Sequence, residues 1–144
     1  MPERGAQGPR LHARITDRPI DEAAVRAAVE APDCGAVVMF HGVIRNHDGG
    51  LRVDSLDYSA HPEAERFIAA VVAEEQERSG LRLAAEHRIG ALGVGDAALV
   101  AAAAAPHRGE AFEAIERLVE RIKHEVPIWK RQHYADGASD WVGL

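Results

Sequence analysis

The sequence predicts an α+β fold, a two-layer domain with a mostly antiparallel sheet and three main helices. Three observations predict it. Apolar residues recur at helical spacing in three separate segments, within 21–31, 62–80 and 112–126. Between them lie short apolar runs, alternating or continuous, bounded by Gly, Pro and Asp. The order reads β-α-β-β-α-β-β-α-β, helices alternating with strands or strand pairs, which indicates helices laid on a sheet. With 144 residues the chain is long enough for one domain with its own core. That domain is expected over 11–144, with residues 1–10, rich in Gly, Pro and charge, fraying.

Each element has a local reason. Leu11, Ala13 and Ile15 alternate with polar neighbours as a short strand, and Asp17-Arg18-Pro19 turns the chain. Asp21 can cap a helix through Ala31, with Ala24, Val25, Ala28 and Val29 facing inward. Gly35 to Ile44 is a continuous apolar run, suited to a strand buried on both faces, and Gly42 within it marks a bulge or a close backbone approach. Asn46 to Gly50 is a turn cluster, and Leu51 to Tyr58 returns as a strand. Pro62 suits the first turn of a helix that Gly80 ends. Leu81, Leu83, Ala85, His87 and Ile89 alternate as another strand, and Gly90 to Asp96 turns. Ala97 to Ala105 favours helix by propensity, but its nine-residue length between Gly95-Asp96 and Pro106 favours a tightly packed strand. The long helix then runs to Val126, an extended stretch leads to Tyr134, and Trp141-Val142 closes as a short strand or anchor.

The stretch with chemical promise is Lys123 to Gln132. Pro127 disfavours helix at Val126 and cannot continue the hydrogen-bond ladder, so the helix should end there. Lys123, four residues after Val119, falls at the edge of the buried stripe, and Lys130 follows on an extended segment. The two amines can converge on one pocket. Convergent ammonium groups disfavour each other's charge, which is how a lysine is brought toward acid–base or nucleophilic work. Lysine near a helix C-terminus also simply complements the helix dipole, and spacing alone leaves both readings open. The same holds for Arg45 at a strand mouth, and for His107 and Arg108 at a helix start, where an anion would meet free backbone N–H groups.

Composition narrows the classes. The net charge of −6 argues against general nucleic-acid binding. From Arg117 to His133, however, Lys or Arg stand at 117, 121, 123, 130 and 131 against Glu120 and Glu125, a local positive patch fitted to a small anion. Cys34 is the only cysteine, so neither an internal disulfide nor a cysteine zinc site is available, and a buried inert thiol is expected. No apolar secretory segment opens the chain and no run is long enough to span a bilayer, so no membrane contact and a cytoplasmic location are expected. His41, His47 and His61 follow no metal-ligand spacing.

Five blocks, taken in order, carry a family resemblance. They are G-A-V-V-M-F-H-G-V-I-R-N at 35–46, D-Y-S-A-H-P-E-A-E at 57–65 and H-R-I-G-A-L-G-V-G-D at 87–96, followed by A-P-H-R-G-E-A-F-E at 105–113 and K-H-E-V-P-I-W-K-R at 123–131. From about Ile15 to Val142 the chain resembles the large, catalytic subunit of molybdopterin synthase, the MoaE family. The resemblance implies an α/β-hammerhead-like domain and a sulfurtransferase of molybdenum cofactor biosynthesis. Such an enzyme converts cyclic pyranopterin monophosphate to molybdopterin. Sulfur comes from the C-terminal thiocarboxylate of a small ubiquitin-like subunit ending in Gly-Gly. Two large subunits form a homodimer with a small subunit at each end, a 2+2 heterotetramer, and no cofactor or metal is implied.

By the same resemblance Lys130 takes the closer catalytic role, as acid/base or nucleophile, and Lys123 supports it. Arg45, His107 and Arg108 match phosphate and pterin contacts, the latter two in reach of the neighbouring subunit's pocket. Val43 and Ile44 are expected to line the site through backbone, with Arg131 and Gln132 beside them. The chain departs from the pattern at Val43, where some members carry lysine, at Gln132, where an acidic residue is common, and in ending at Leu144. A different class also accommodates these residues: a noncatalytic module that only docks a ubiquitin-like tail.

Overall fold

The computed structural model describes residues 11–143, so the tail expected to fray lies outside the described residues. The chain runs β1 (His12–Thr16), α1 (Glu22–Ala27), β2 (Ala36–Val43), β3 (His47–Asp48), β4 (Leu51–Ala60) and α2 (Ala64–Ser79). It continues β5 (Arg82–Arg88), β6 (Gly90–Gly93), β7 (Ala97–Ala105), α3 (Arg108–Glu125), β8 (Ile128–Tyr134) and β9 (Ser139–Gly143). The α+β class and its three helices are as the sequence predicts. The strands form two sheets, one ordered β1-β5-β7-β2 and the other β3-β4-β8-β9 with β6 also on β4. Among the described residues only the β1–β5 pair is parallel.

The alanine-rich β7 is the spine of the first sheet. Alternate residues of a strand face opposite sides. Ala101, Ala103 and Ala105 join the core beneath α2 and α3, while Val100, Ala102 and Ala104 join a second cluster with Val25 and Val29 on the other face. Both faces are therefore covered, and α1 adds a partial third layer to the expected two. Alanine suits this position because its small side chain lets helices approach from both sides. Strand β7 is flanked by β5 and β2, which satisfy its backbone groups, so pairing outweighs alanine's helical propensity.

Two long helices lie side by side on this sheet, α2 over β1 and β5, α3 over β7 and β2. Leu118, Val119 and Ile122 of α3 are buried, each contributing roughly 1.5–3 kcal/mol of hydrophobic stabilisation. Helix α2 ends at Gly80, whose φ of 73° is the left-handed cap that glycine adopts without strain. Helix α1 stops at Ala27, earlier than the expected Ala31, and Ala28 and Val29 continue as a turn that still buries Val29. The expected turn at 90–96 contains the short strand β6, and the cluster at 46–50 contains β3. In both, backbone pairing with β4 claims residues whose side chains carry no strand signal.

Two buried polar groups hold the layers in register. Glu75 of α2 is 4% exposed, accepts from Arg78, and bonds Arg121 of α3 at 3.1 Å. Burial alone would raise its pKa, but the hydrogen bonds from Arg78 and Arg121 outweigh it and hold the carboxyl below its usual range. His87 of β5 is 2% exposed, and its ring meets Tyr58 of β4 edge-on at 5.0 Å, joining the two sheets. Burial, aided by the charge of Lys123 and opposed by a bond to the Arg88 carbonyl, lowers its pKa to about 4.

Glu75→Gln is expected to cost about 1–3 kcal/mol, read as a Tm fall of several degrees, because the amide removes the buried carboxylate that Arg78 and Arg121 share. Stability owed to Glu75 is present above its unfolded pKa of 4.5 and lost as acid titrates it below that value. His87 acts in an earlier window. Between pH 6.5 and about 4 the unfolded chain takes up a proton that the folded chain refuses, so stability falls as pH drops through that range. Urea unfolding at pH 7, 5.5 and 4.5 should show this slope, flattened in His87→Gln.

Candidate active site

The break after α3 acts as the sequence predicts. Val126 is extended, with φ −86° and ψ 125°, and Pro127 follows outside the helix. The Pro127 carbonyl accepts from the His61 N–H at 3.0 Å, and Ile128 pairs with Ala60, so the chain enters β8 at once. Lys130 then lies opposite Tyr58 of β4 on one side and Val142 of β9 on the other. Lys123 sits one turn before the break, on the last turn of α3.

The two ammonium groups line the same cavity, of about 430 Å³, where the first sheet meets the second. Arg45, just beyond β2, lines it too. Phe40, Tyr58 and His87 supply its aromatic walls. Lys123 and Lys130 are the only lysines in the chain, so both of its ε-amines stand at this one place. Gly42 also lines the cavity, and the register of β2 on β7 slips between Gly42 and Val43, the expected bulge. A Cβ at Gly42 would stand 3.3 Å from the Phe40 ring, which would have to move.

The charges are arranged simply. Arg45, Lys123 and Lys130 are cations, and the lining residues include no carboxylate. His87 stays neutral near pH 7 because burial disfavours its charged form. Its Nδ1 lies 2.8 Å from the Arg88 carbonyl oxygen, so Nδ1 carries the hydrogen and donates it, leaving Nε2 an acceptor. Burial pushes the Tyr58 phenol up to about 12, so it also remains neutral. An anion entering this cavity meets three positive groups and two neutral polar ones.

Other expected site residues fall elsewhere. Val43 lines the cavity, but Ile44 is buried and its backbone N–H and carbonyl are both engaged, with Asp96 and Gly95. Arg131 alternates to the other face of β8, where it bonds Ser139 at 3.1 Å and lies over the Trp141 ring. Gln132 is 3% exposed and is not among the residues lining the cavity; its Nε2 donates to Asp48 at 2.7 Å. His107 and Arg108 begin α3 and line a separate hollow with Gly35 and Phe112. Fifteen residues of helix separate Arg108 from Lys123, about 22 Å, so one chain does not bring them together. Lys123 itself is exposed at the cavity rim.

The remaining candidates stand apart. His41 pairs with Glu22, His47 with Asn46, and the His61 ring accepts from the Glu63 N–H. Among the described residues no three His, Cys, Asp or Glu are grouped to hold a metal ion. Cys34 is half-buried rather than buried, and burial and the nearby Asp33 carboxylate push its thiol up, which makes it a poor nucleophile. Among the described residues no helix is long and apolar enough to cross a membrane. Site residues that sequence reasoning missed are Tyr58, His87 and Asp48. The available signal for His87 was a polar residue on the apolar side of an alternating strand.

Comparison with known proteins sets this geometry in a family. The family model described as MoaE protein matches residues 15–125, ending at the last residue of α3. The molybdopterin synthase catalytic subunit 1 of Mycobacterium tuberculosis is 42% identical over 140 residues, spanning 96% of this chain and 95% of that protein. The molybdopterin synthase catalytic subunit of Bacillus subtilis is 41% identical over 131 residues, covering 90% of this chain and 83% of that one. Among solved structures, molybdopterin synthase from Staphylococcus aureus matches with a TM-score of 0.85 at 36% identity, covering 92% of this chain and 97% of that one. A family model spanning most of the chain, near-full-length relatives and the same fold agree, and the chain belongs to the MoaE protein family.

Proposed function

We propose that this chain is the catalytic subunit of a molybdopterin synthase, a sulfurtransferase that converts cyclic pyranopterin monophosphate to molybdopterin. The observation that carries the reading is the single cavity holding both lysines and Arg45. A phosphorylated pterin is a compact anion with a flat heterocycle, and the lining offers guanidinium and ammonium groups beside aromatic walls. Charge concentrated there on a chain of net charge −6 is selective for a small anion over a polyanion.

The sulfur donor in this reading is the C-terminal thiocarboxylate of a small ubiquitin-like subunit, itself an anion that the same cations attract. Arg45 and Lys123 hold the substrate's charge. Lys130, half-buried on a rigid strand between β4 and β9, takes the proton-transfer or nucleophilic role. A strand gives it a fixed position that a loop would not. His107 and Arg108, remote from this cavity within one chain, are assigned to the pocket of a second large subunit, in a 2+2 assembly. The reading carries with it a cytoplasmic location.

Lys130→Ala is expected to lower molybdopterin formation by at least about 100-fold with fold and assembly intact, the scale of a lost acid–base group. Lys123→Ala should lose less, chiefly in KM. The assay is fluorescence of the oxidised pterin after mixing with a thiocarboxylated small subunit ending in Gly-Gly. Normal turnover by Lys130→Ala would remove the mechanism, and copurification with the small subunit without any product would leave a docking module only.

A further inference from the structure

Two neutral polar atoms at the floor of the cavity are left without partners. His87 is 2% exposed and Tyr58 9%, yet both line the space shared by Arg45, Lys123 and Lys130. The Nδ1 hydrogen of His87 goes to the Arg88 carbonyl, which leaves Nε2 with a free lone pair. Among the described residues neither that nitrogen nor the Tyr58 hydroxyl has a hydrogen-bond partner. The one sealed side-chain nitrogen or oxygen without a partner, among the described residues, is Arg88 Nε. The two ring atoms are therefore open, and the space they open into is the cavity.

Both atoms are held in place by the sheets. His87 stands on β5 between Ile15 of β1 and Leu99 of β7, and Tyr58 on β4 between Gly90 of β6 and Lys130 of β8. Their rings meet edge-on, with centroids 5.0 Å apart, so an acceptor from one sheet and a hydroxyl from the other share one small region. With its pKa lowered to about 4, roughly one His87 ring in a thousand carries a second proton at pH 7. Such a ring is a poor base and a dependable acceptor. The rim differs in kind. Arg45 and Lys123 are exposed, and the Arg45 guanidinium lies 3.6 Å from the Asp48 carboxylate. Exposed charge draws in anions of many shapes and does not choose among them.

We propose that His87 Nε2 and the Tyr58 hydroxyl are the specificity-determining groups of the cavity. They read the neutral hydrogen-bonding edge of the bound heterocycle, the imidazole taking an N–H and the phenol meeting a carbonyl or ring nitrogen. This deepens the proposed function and rests on it for the identity of the heterocycle. A ligand that carries charge alone leaves both atoms unpaired, and an unsatisfied buried polar group costs the full desolvation of that group. A pterin fits because its pyrimidinone edge carries N–H donors beside a carbonyl acceptor. Phe40 and Leu99, also in the lining, offer the apolar contact that a flat ring needs. The cations set affinity for charge, and the two rings choose what carries it.

Two substitutions separate recognition from bracing. Tyr58→Phe removes the hydroxyl and keeps the ring that meets His87. His87→Asn keeps an N–H near the Arg88 carbonyl and deletes the acceptor at the Nε2 position. The probes for the full chain are 6-carboxypterin, a fluorescent anion followed by its anisotropy, and inorganic phosphate, followed by 31P NMR. Each variant should bind 6-carboxypterin about five- to tenfold more weakly, the scale of one lost hydrogen bond, and bind phosphate as the wild type does. If the pair only braces the sheets, both ligands weaken together with a fall in Tm, or neither weakens. Either result overturns the proposal, and Tyr58→Phe alone decides it should His87→Asn fail to fold. Unchanged pterin binding in both variants leaves the proposed function standing. A wild-type chain that binds phosphate and ignores the pterin overturns both.

Discussion

Proline 127 has no N–H to give a helix, and its ring pushes Val126 into extended backbone. The rest of the site depends on that constraint. Without it α3 would carry Lys130 onward along its own axis, to about 10 Å beyond Lys123. With it, the chain turns straight into a strand whose place is fixed by β4 and β9 on either side. A helix end and a strand are both stiff, so the two amines are set by backbone geometry and not by loop motion.

The cavity lies where the two sheets meet, lined by residues of both. Tyr58 and His87 bridge them by an edge-on ring contact, and the β-bulge at Gly42 bends β2 away where a regular strand would close the gap. Burial then has opposite consequences for different groups. It keeps the imidazole and the phenol neutral, while Arg45 and Lys123 stay at the exposed rim as cations. A site of mixed charged and neutral donors results from depth alone. The same β7 that walls the cavity with Ala98 and Leu99 continues into the doubly covered spine, so the site is anchored to the most buried strand of the domain.

Much of the fold was legible in the sequence. The three helical segments, the tightly packed strand at 97–105, the Gly42 irregularity and the stop at Pro127 all follow from local pattern. The strand at 35–44, expected to be buried on both faces, is instead a half-buried edge strand with His41 and Val43 exposed, because β7 takes the central place. The split into two sheets was not, because β6 and β3 are too short to carry a periodicity and exist through pairing with β4. At the site, Lys123, Lys130 and Arg45 could be singled out by residue type and place. His107 and Arg108 could be named but not located relative to them, since a helix length intervenes. Asp48 was hidden in a turn motif that explains itself without a partner. Its partner Gln132 lies 84 residues away, and no sequence periodicity reports such a contact.

The distribution of basic residues has a last consequence. Arginine pairs with carboxylates at the surface of α1, α2 and α3, at Arg26, Arg66, Arg78 and Arg121. Lysine is reserved for the cavity. An acylating agent that attacks primary amines therefore finds, besides the α-amino group, only two addresses on this chain, and both are where the pterin is proposed to sit. Ordinary metabolic acyl donors would act on it as active-site poisons, and an occupied cavity would be its own protection.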